Sequence, residues 1–105
     1  MKAREEYRIL FAAAREYGED HQLRMVQEEC SELAVVLHHY FRGRADLQKV
    51  AEEMVDVQIM LDQLGIFVEK KIPPASISQL REAKLKRLHQ RIRDERFKRT
   101  KKEQE

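Results

Sequence analysis

Gln27-Glu28-Glu29-Cys30-Ser31-Glu32-Leu33 and Ala51-Glu52-Glu53-Met54-Val55-Asp56-Val57 are two acidic groups, each set inside an otherwise apolar helical run, and their reading decides the fold. Shifting the first by 24 positions lays Glu28 on Glu52, Glu29 on Glu53, Glu32 on Asp56, Leu33 on Val57, Val36 on Met60 and Leu37 on Leu61. The two segments form an internal two-fold repeat.

Around each group the apolar residues recur at alternating spacings of three and four: Leu23, Val26, Cys30, Leu33, Leu37 and Tyr40 in the first, Leu47, Val50, Met54, Val57, Leu61 and Leu64 in the second. Each set is one stripe along a helix. At about 100° per residue, Glu29 and Glu32 fall on the edge of the first stripe, and Glu53 and Asp56 hold the same place on the second. Antiparallel packing of the stripes predicts that the four carboxylates meet. Like charges at short range raise one another's pKa, so such a group needs protons or a cation. A set of oxygen ligands suits a hard divalent ion, Mg2+ first and Mn2+ second.

Working outward, Tyr7, Leu10, Phe11, Ala14 and Tyr17 predict an amphipathic helix over 3–17, ended by Gly18. A second helix is expected over 20–42, capped by Asp20 and ended by Gly43, and a third over 46–69 with Asp46 as its N-cap. Pro73-Pro74 predicts a loop. Ser76 with Gln79 has the capping-box pattern, and Leu85, Leu88 and Ile92 carry a fourth helix over 76–95. The apolar period fails after Ile92, so 96–105 is expected as a basic tail, either a solvated helical extension or frayed. Nothing reads as a strand. The expectation is an all-α chain whose helical domain covers 1–95, with the middle two helices as an antiparallel hairpin.

Composition narrows the class. With 105 residues, 42% hydrophobic and 38% charged, the chain reads as one small helical domain. A core of that size gains from an oligomeric interface, so a homodimer or homotetramer is expected. The single cysteine rules out an internal disulfide, and Cys30, lying on the apolar stripe, is expected to be a structural thiol. The longest aliphatic run, 33–37, is too short for a bilayer and no signal peptide is visible, so a cytoplasmic protein without a membrane segment is expected. Net charge is +2 but uneven: residues 79–105 hold eleven Lys/Arg against five Asp/Glu, and residues 1–78 hold ten against fourteen.

Acidic pairs one turn apart are common on solvated helix faces, but here the pair occurs twice in register. No Lys or Arg lies four residues after Glu28, Glu29, Glu32, Glu53 or Asp56, so the usual surface pairing is missing in that direction. A di-iron site would want Glu-x-x-His, yet the residues three before the histidines are Gly18, Val35, Val36 and Lys86. No GxxxxGK[ST] loop exists among three glycines, so a phosphate ligand would be gripped by metal and basic side chains.

An ExxE pair on one helix and an ExxD pair on the next, each opened by a Glu-Glu doublet, resembles the MazG-like all-α nucleoside triphosphate pyrophosphohydrolases. Tyr17-Gly18 with Gln22 ahead of the motif and Lys84-Leu85-Lys86-Arg87-Leu88 behind it extend the resemblance over about residues 7–92. It implies hydrolysis of a nucleoside triphosphate to a monophosphate and pyrophosphate, with Mg2+ held by Glu29, Glu32, Glu53 and Asp56. Glu28 and Glu52 would then be auxiliary ligand or general base. Lys49, one turn before Glu53, and Lys84 and Arg87 on the last helix are candidate phosphate contacts, solvated charge being the alternative for each. Related phosphoribosyl-ATP pyrophosphatases share the chemistry, and the base preference is not legible.

Two rivals remain from other classes. The basic end suits sequence-independent phosphate contacts to nucleic acid, although no helix-turn-helix, zinc-finger or aromatic stacking pattern accompanies it. A structural helical oligomer is the third.

Overall fold

The computed structural model describes residues 1–105 and holds four helices with no strand: α1 (Ala3–Tyr17), α2 (Glu19–Phe41), α3 (Leu47–Val68) and α4 (Pro74–Gln104). The chain divides into two compact units, Met1–Lys71 and Ile72–Glu105. No helix is long and apolar enough to cross a membrane.

In the first unit, α1 and α2 are joined by Gly18 alone, at φ 85°. A side chain there would be strained, and Gly18 N–H donates to Ala14 O at 3.1 Å to close α1. Gly18 also occupies the N-cap of α2, so Asp20 lies inside the first turn rather than capping it. There its charge still favours the positive end of the helix dipole. Gly43, at φ 72°, turns the chain out of α2, with Arg44 N–H donating to His39 O at 2.8 Å. Asp46 then caps α3, its Oδ1 accepting from Lys49 N–H at 2.9 Å. Gly65 does not interrupt α3.

The five-residue connection 42–46 makes α2 and α3 an antiparallel hairpin. Its register is visible in two contacts: Gln22 Nε2 donates to Gln63 Oε1 at 3.2 Å, and seven residues on along α2, Glu29 meets Asp56, seven back along α3. α1 is fastened by Gln63, whose Nε2 donates to the Leu10 carbonyl.

The inward face differs from the apolar stripe seen in the sequence. Val26 and Leu33 on α2 and Val50, Val57 and Leu64 on α3 face inward as expected. Leu23, Cys30, Leu47, Met54 and Leu61 are exposed, while Gln22, Glu29, Glu53 and Gln63 take inward places. The hairpin is therefore rotated toward its polar edge, the side on which Gln63 holds α1. Cys30 accordingly is a free, exposed thiol and not a buried structural one. Only Ala14, Val57 and Phe67 are buried apolar residues, a thin core for a unit of this size.

The second unit is α4. Pro73 stands at its N-cap and Pro74 at N1, where a missing N–H costs nothing, so the Ser76/Gln79 capping box does not form. The helix runs on through the basic segment to Gln104, so of the two expectations for the tail it is the solvated helical extension that forms. Arg, Lys, Glu and Gln are strong helix formers, and loss of the apolar period removes a packing face without breaking the helix.

Candidate metal centre

α2 presents Glu28, Glu29 and Glu32 and α3 presents Lys49, Glu52, Glu53 and Asp56, the two sets meeting across the hairpin. One carboxylate oxygen from each of Glu29, Glu53 and Asp56 lies within 4.8 Å of the others. At that distance two full charges repel by on the order of 3 kcal/mol at an effective dielectric of about 20. Glu53 is 8% exposed, Glu29 is half-buried, and Asp56 opens to solvent.

Burial of Glu29 raises its pKa above the ordinary 4.5, helped by the charge of Glu32 and a hydrogen bond with it, then by Asp56 and Glu53. Glu32 thus sits against Glu29, though outside the three-residue group. Three of the four expected ligands converge and the fourth stands beside one of them.

Two oxygens of this cluster, Glu29 Oε2 and Glu53 Oε2, are buried with no hydrogen-bond partner. Buried acceptors are nearly always paired, and leaving one unpaired costs about 1–3 kcal/mol, more when it is charged. Acceptor-only atoms from three carboxylates, two of them orphaned, form a donor set that a hard divalent cation satisfies.

The local counter-charge is Lys49. Its Nζ lies 3.3 Å from Glu53 Oε1 and 3.8 Å from Glu52 Oε2. The hydrogen bond to Glu53, with the charges of Glu53, Glu52 and Asp56, raises the ammonium's pKa. This pair runs in the opposite sense to the spacing considered above, with the lysine four residues before the glutamate. Surface pairing is present on one side of Glu53 only.

The two candidate bases are placed differently. Glu28 lines a shallow groove with Ser31, Glu32, Val35, Val36 and Glu53, so it borders the cluster. Glu52 is exposed and tied to Lys49. Lys84 and Arg87 are exposed residues of α4, in the second unit.

Gln63 was not singled out by its sequence context, although it is the most buried large side chain at 1% exposure. With Gln22, whose Oε1 lies 2.9 Å from His21 Nδ1, it forms a polar chain linking α2, α3 and α1 two turns from the carboxylates. The available signal was an amide that, with Asp62, interrupts the otherwise apolar stretch 59–67. Tyr17 and Tyr40 are exposed, Tyr17 with its ring 5.4 Å from that of His21.

No protein-family model, curated protein or solved structure matches the chain.

Proposed function

We propose that the chain is a Mg2+-dependent nucleoside triphosphate pyrophosphohydrolase, acting as a homodimer or homotetramer on a (d)NTP to give the (d)NMP and pyrophosphate. The observation that carries this is the convergence of Glu29, Glu53 and Asp56 around two buried, unpaired carboxylate oxygens. The motif resemblance supplies the substrate class. Glu29, Glu53 and Asp56 would hold the cation, with Glu32 completing the set. When bound, a divalent ion supplies positive charge to phosphate oxygens and acidifies water.

The chain's own residues do the rest. A water attacks the α-phosphorus, the α–β phosphoanhydride bond breaks, and pyrophosphate leaves with the bonding electrons. Glu28, bordering the groove beside Glu53, takes the water's proton. Lys49, with its Nζ 3.3 Å from Glu53 Oε1, is the candidate phosphate contact beside the cluster. Val35 and Val36 line the groove's apolar side.

A pyrophosphate-release screen over NTPs and dNTPs, with and without Mg2+, tests the proposal. Metal-dependent release from at least one nucleotide is expected, and none from any would sink it.

A second reading is favoured by one observation, the continuation of α4 as an exposed helix through Arg91, Arg93, Arg96, Lys98, Arg99, Lys101 and Lys102. Such a helix can contact nucleic-acid phosphates. Salt-dependent retention of an oligonucleotide by the full chain, lost on removing residues 95–105, would support it.

A further inference from the structure

Phe97 is a residue that neither the helical packing nor the proposed hydrolysis uses, and it stands 70% exposed on α4. Leu85, Leu88 and Ile92 run at spacings of three and four, whereas Phe97 falls five past Ile92 and nine past Leu88, about 140° and 180° around the helix. It therefore lies on the side opposite that stripe. Its neighbours on its own face, three, four and seven residues away, are Gln90, Arg93, Asp94, Thr100, Lys101 and Gln104. None of them is apolar.

The surroundings are strongly cationic. Residues 91–102 hold seven Lys/Arg against Asp94 and Glu95, and all of them are exposed. Both carboxylates are engaged within the helix: Asp94 Oδ1 accepts from Gln90 Nε2 at 2.9 Å, and Glu95 Oε1 lies 3.9 Å from Lys98 Nζ. Arg93, Arg96, Arg99 and Lys101 form no ion pair. Arg93 and Lys101 each stand roughly 6 Å along the axis from Phe97, one on either side. A bilayer surface would want a continuous apolar face on such a helix, and a single ring set among charges does not provide one. A flat π partner with negative charge beside it fits instead, the ring taking its face and the cations its charges.

We propose that Phe97 is a base-stacking platform and that the end of α4 binds single-stranded nucleic acid, one base lying on the ring while Arg93 and Lys101 take the phosphates to either side. This rests on the nucleic-acid reading of α4 in the preceding subsection and changes what that reading predicts. Charge alone favours a duplex, whose phosphates are denser and release more counterions per contact than those of a single strand. Stacking reverses the order, because an unpaired base offers its π face and a paired one is covered by its neighbours. No sequence is read, since every base has such a face. The pyrophosphohydrolase site is not involved.

Fluorescence anisotropy of the full chain against a labelled oligothymidylate and against a duplex of the same length, over a range of salt, tests the proposal. The single strand should bind more tightly. Phe97→Ala should weaken it about tenfold at every salt concentration, with the salt slope and the duplex affinity unchanged. Phe97→Leu, which keeps apolar area without a π face, should behave like Phe97→Ala. Phe97→Trp should keep the affinity and, as the sole indole of a chain without tryptophan, lose fluorescence when the strand saturates it. Helical circular dichroism should be unchanged in all three, the ring being exposed. A duplex bound as tightly as the single strand, with Phe97→Ala affecting neither, would overturn the stacking and leave the charge contact of α4 standing. Full affinity in Phe97→Leu, or an indole unquenched at saturation, would overturn it too. Retention of neither probe at low salt would remove both readings of α4.

Discussion

Lys49 sets its ammonium 3.3 Å from Glu53 Oε1, while the other oxygen of the same carboxylate, Oε2, is buried without a partner. Half of Glu53 is neutralised by a solvated lysine and half faces the interior of an acidic cluster. This asymmetry makes Glu53 the residue whose replacement says most about the site.

Glu53→Gln keeps size and a hydrogen-bonding oxygen but removes one ligand charge. Metal-dependent hydrolysis is expected to fall by orders of magnitude with the fold intact. Millimolar Mg2+ should raise the melting temperature of the wild type and raise that of the variant much less, since an ion bound only to the folded state stabilises by mass action. Equal activity would remove the catalytic assignment, and equal Mg2+ stabilisation would move the ion away from Glu53.

Lys49→Met breaks a pair whose lysine is half exposed. A solvent-screened one-turn pair contributes little to stability, so the melting temperature in chelator should change by only a degree or two. The Mg2+-induced shift should persist, because Lys49 supplies no ligand. Losing that shift with Lys49 would show the lysine to be part of the metal site.

Stability without metal should depend on pH through Glu29. Its folded-state pKa is raised, chiefly by burial and then by Glu32. A raised acid binds its proton more tightly in the folded state. Its contribution to stability is full below the unfolded value, near the ordinary 4.5, and is lost as pH rises through the folded value. In chelator, then, Glu29→Gln should gain over the wild type at pH 7 and lose that advantage toward pH 4.5. A difference between the two proteins that does not vary with pH would contradict the burial of Glu29.

Gln63→Leu removes the amide that joins Gln22 to the Leu10 carbonyl. The buried Gln22 amide loses its partner and the Leu10 carbonyl its second donor, for a cost of about 1–3 kcal/mol. Urea denaturation should show a lowered midpoint, and hydrogen exchange should show α1 loosening first. A neutral substitution would mean that the polar chain is not what fastens α1.

Truncation after Asp94 should leave pyrophosphate release largely intact, because the clustered carboxylates all lie on α2 and α3. Loss of activity with the remaining fold preserved would make the basic end of α4 a substrate-binding element.

Much of this was legible in the sequence. Proline, glycine and Asp46 mark the helix boundaries to within a residue or two, since each acts through its own backbone chemistry. For the end of α4 the sequence left two readings open, helical extension or frayed tail, because periodicity reports packing and not helicity. Convergence of Glu29, Glu53 and Asp56 followed from the repeat. The orientation of the hairpin did not: a stripe repeating every seven residues has two rows, and the sequence alone does not say which row an intrachain neighbour takes. Gln22 and Gln63 decided it, a pair 41 residues apart whose partnership no local pattern announces.

The five-residue connection between α2 and α3 also bears on how quickly the chain becomes competent. Every residue of the acidic cluster lies within a segment of 28 positions, 29–56, closed by one capped turn. Loops this short close in well under a microsecond and helical hairpins form on the microsecond scale. The carboxylates should come together before α1 docks, so the proposed ion would meet its ligands in a half-assembled chain rather than a finished one. Stopped-flow refolding in Mg2+ should then show a faster folding phase than in chelator, and an unchanged rate would place metal capture after folding.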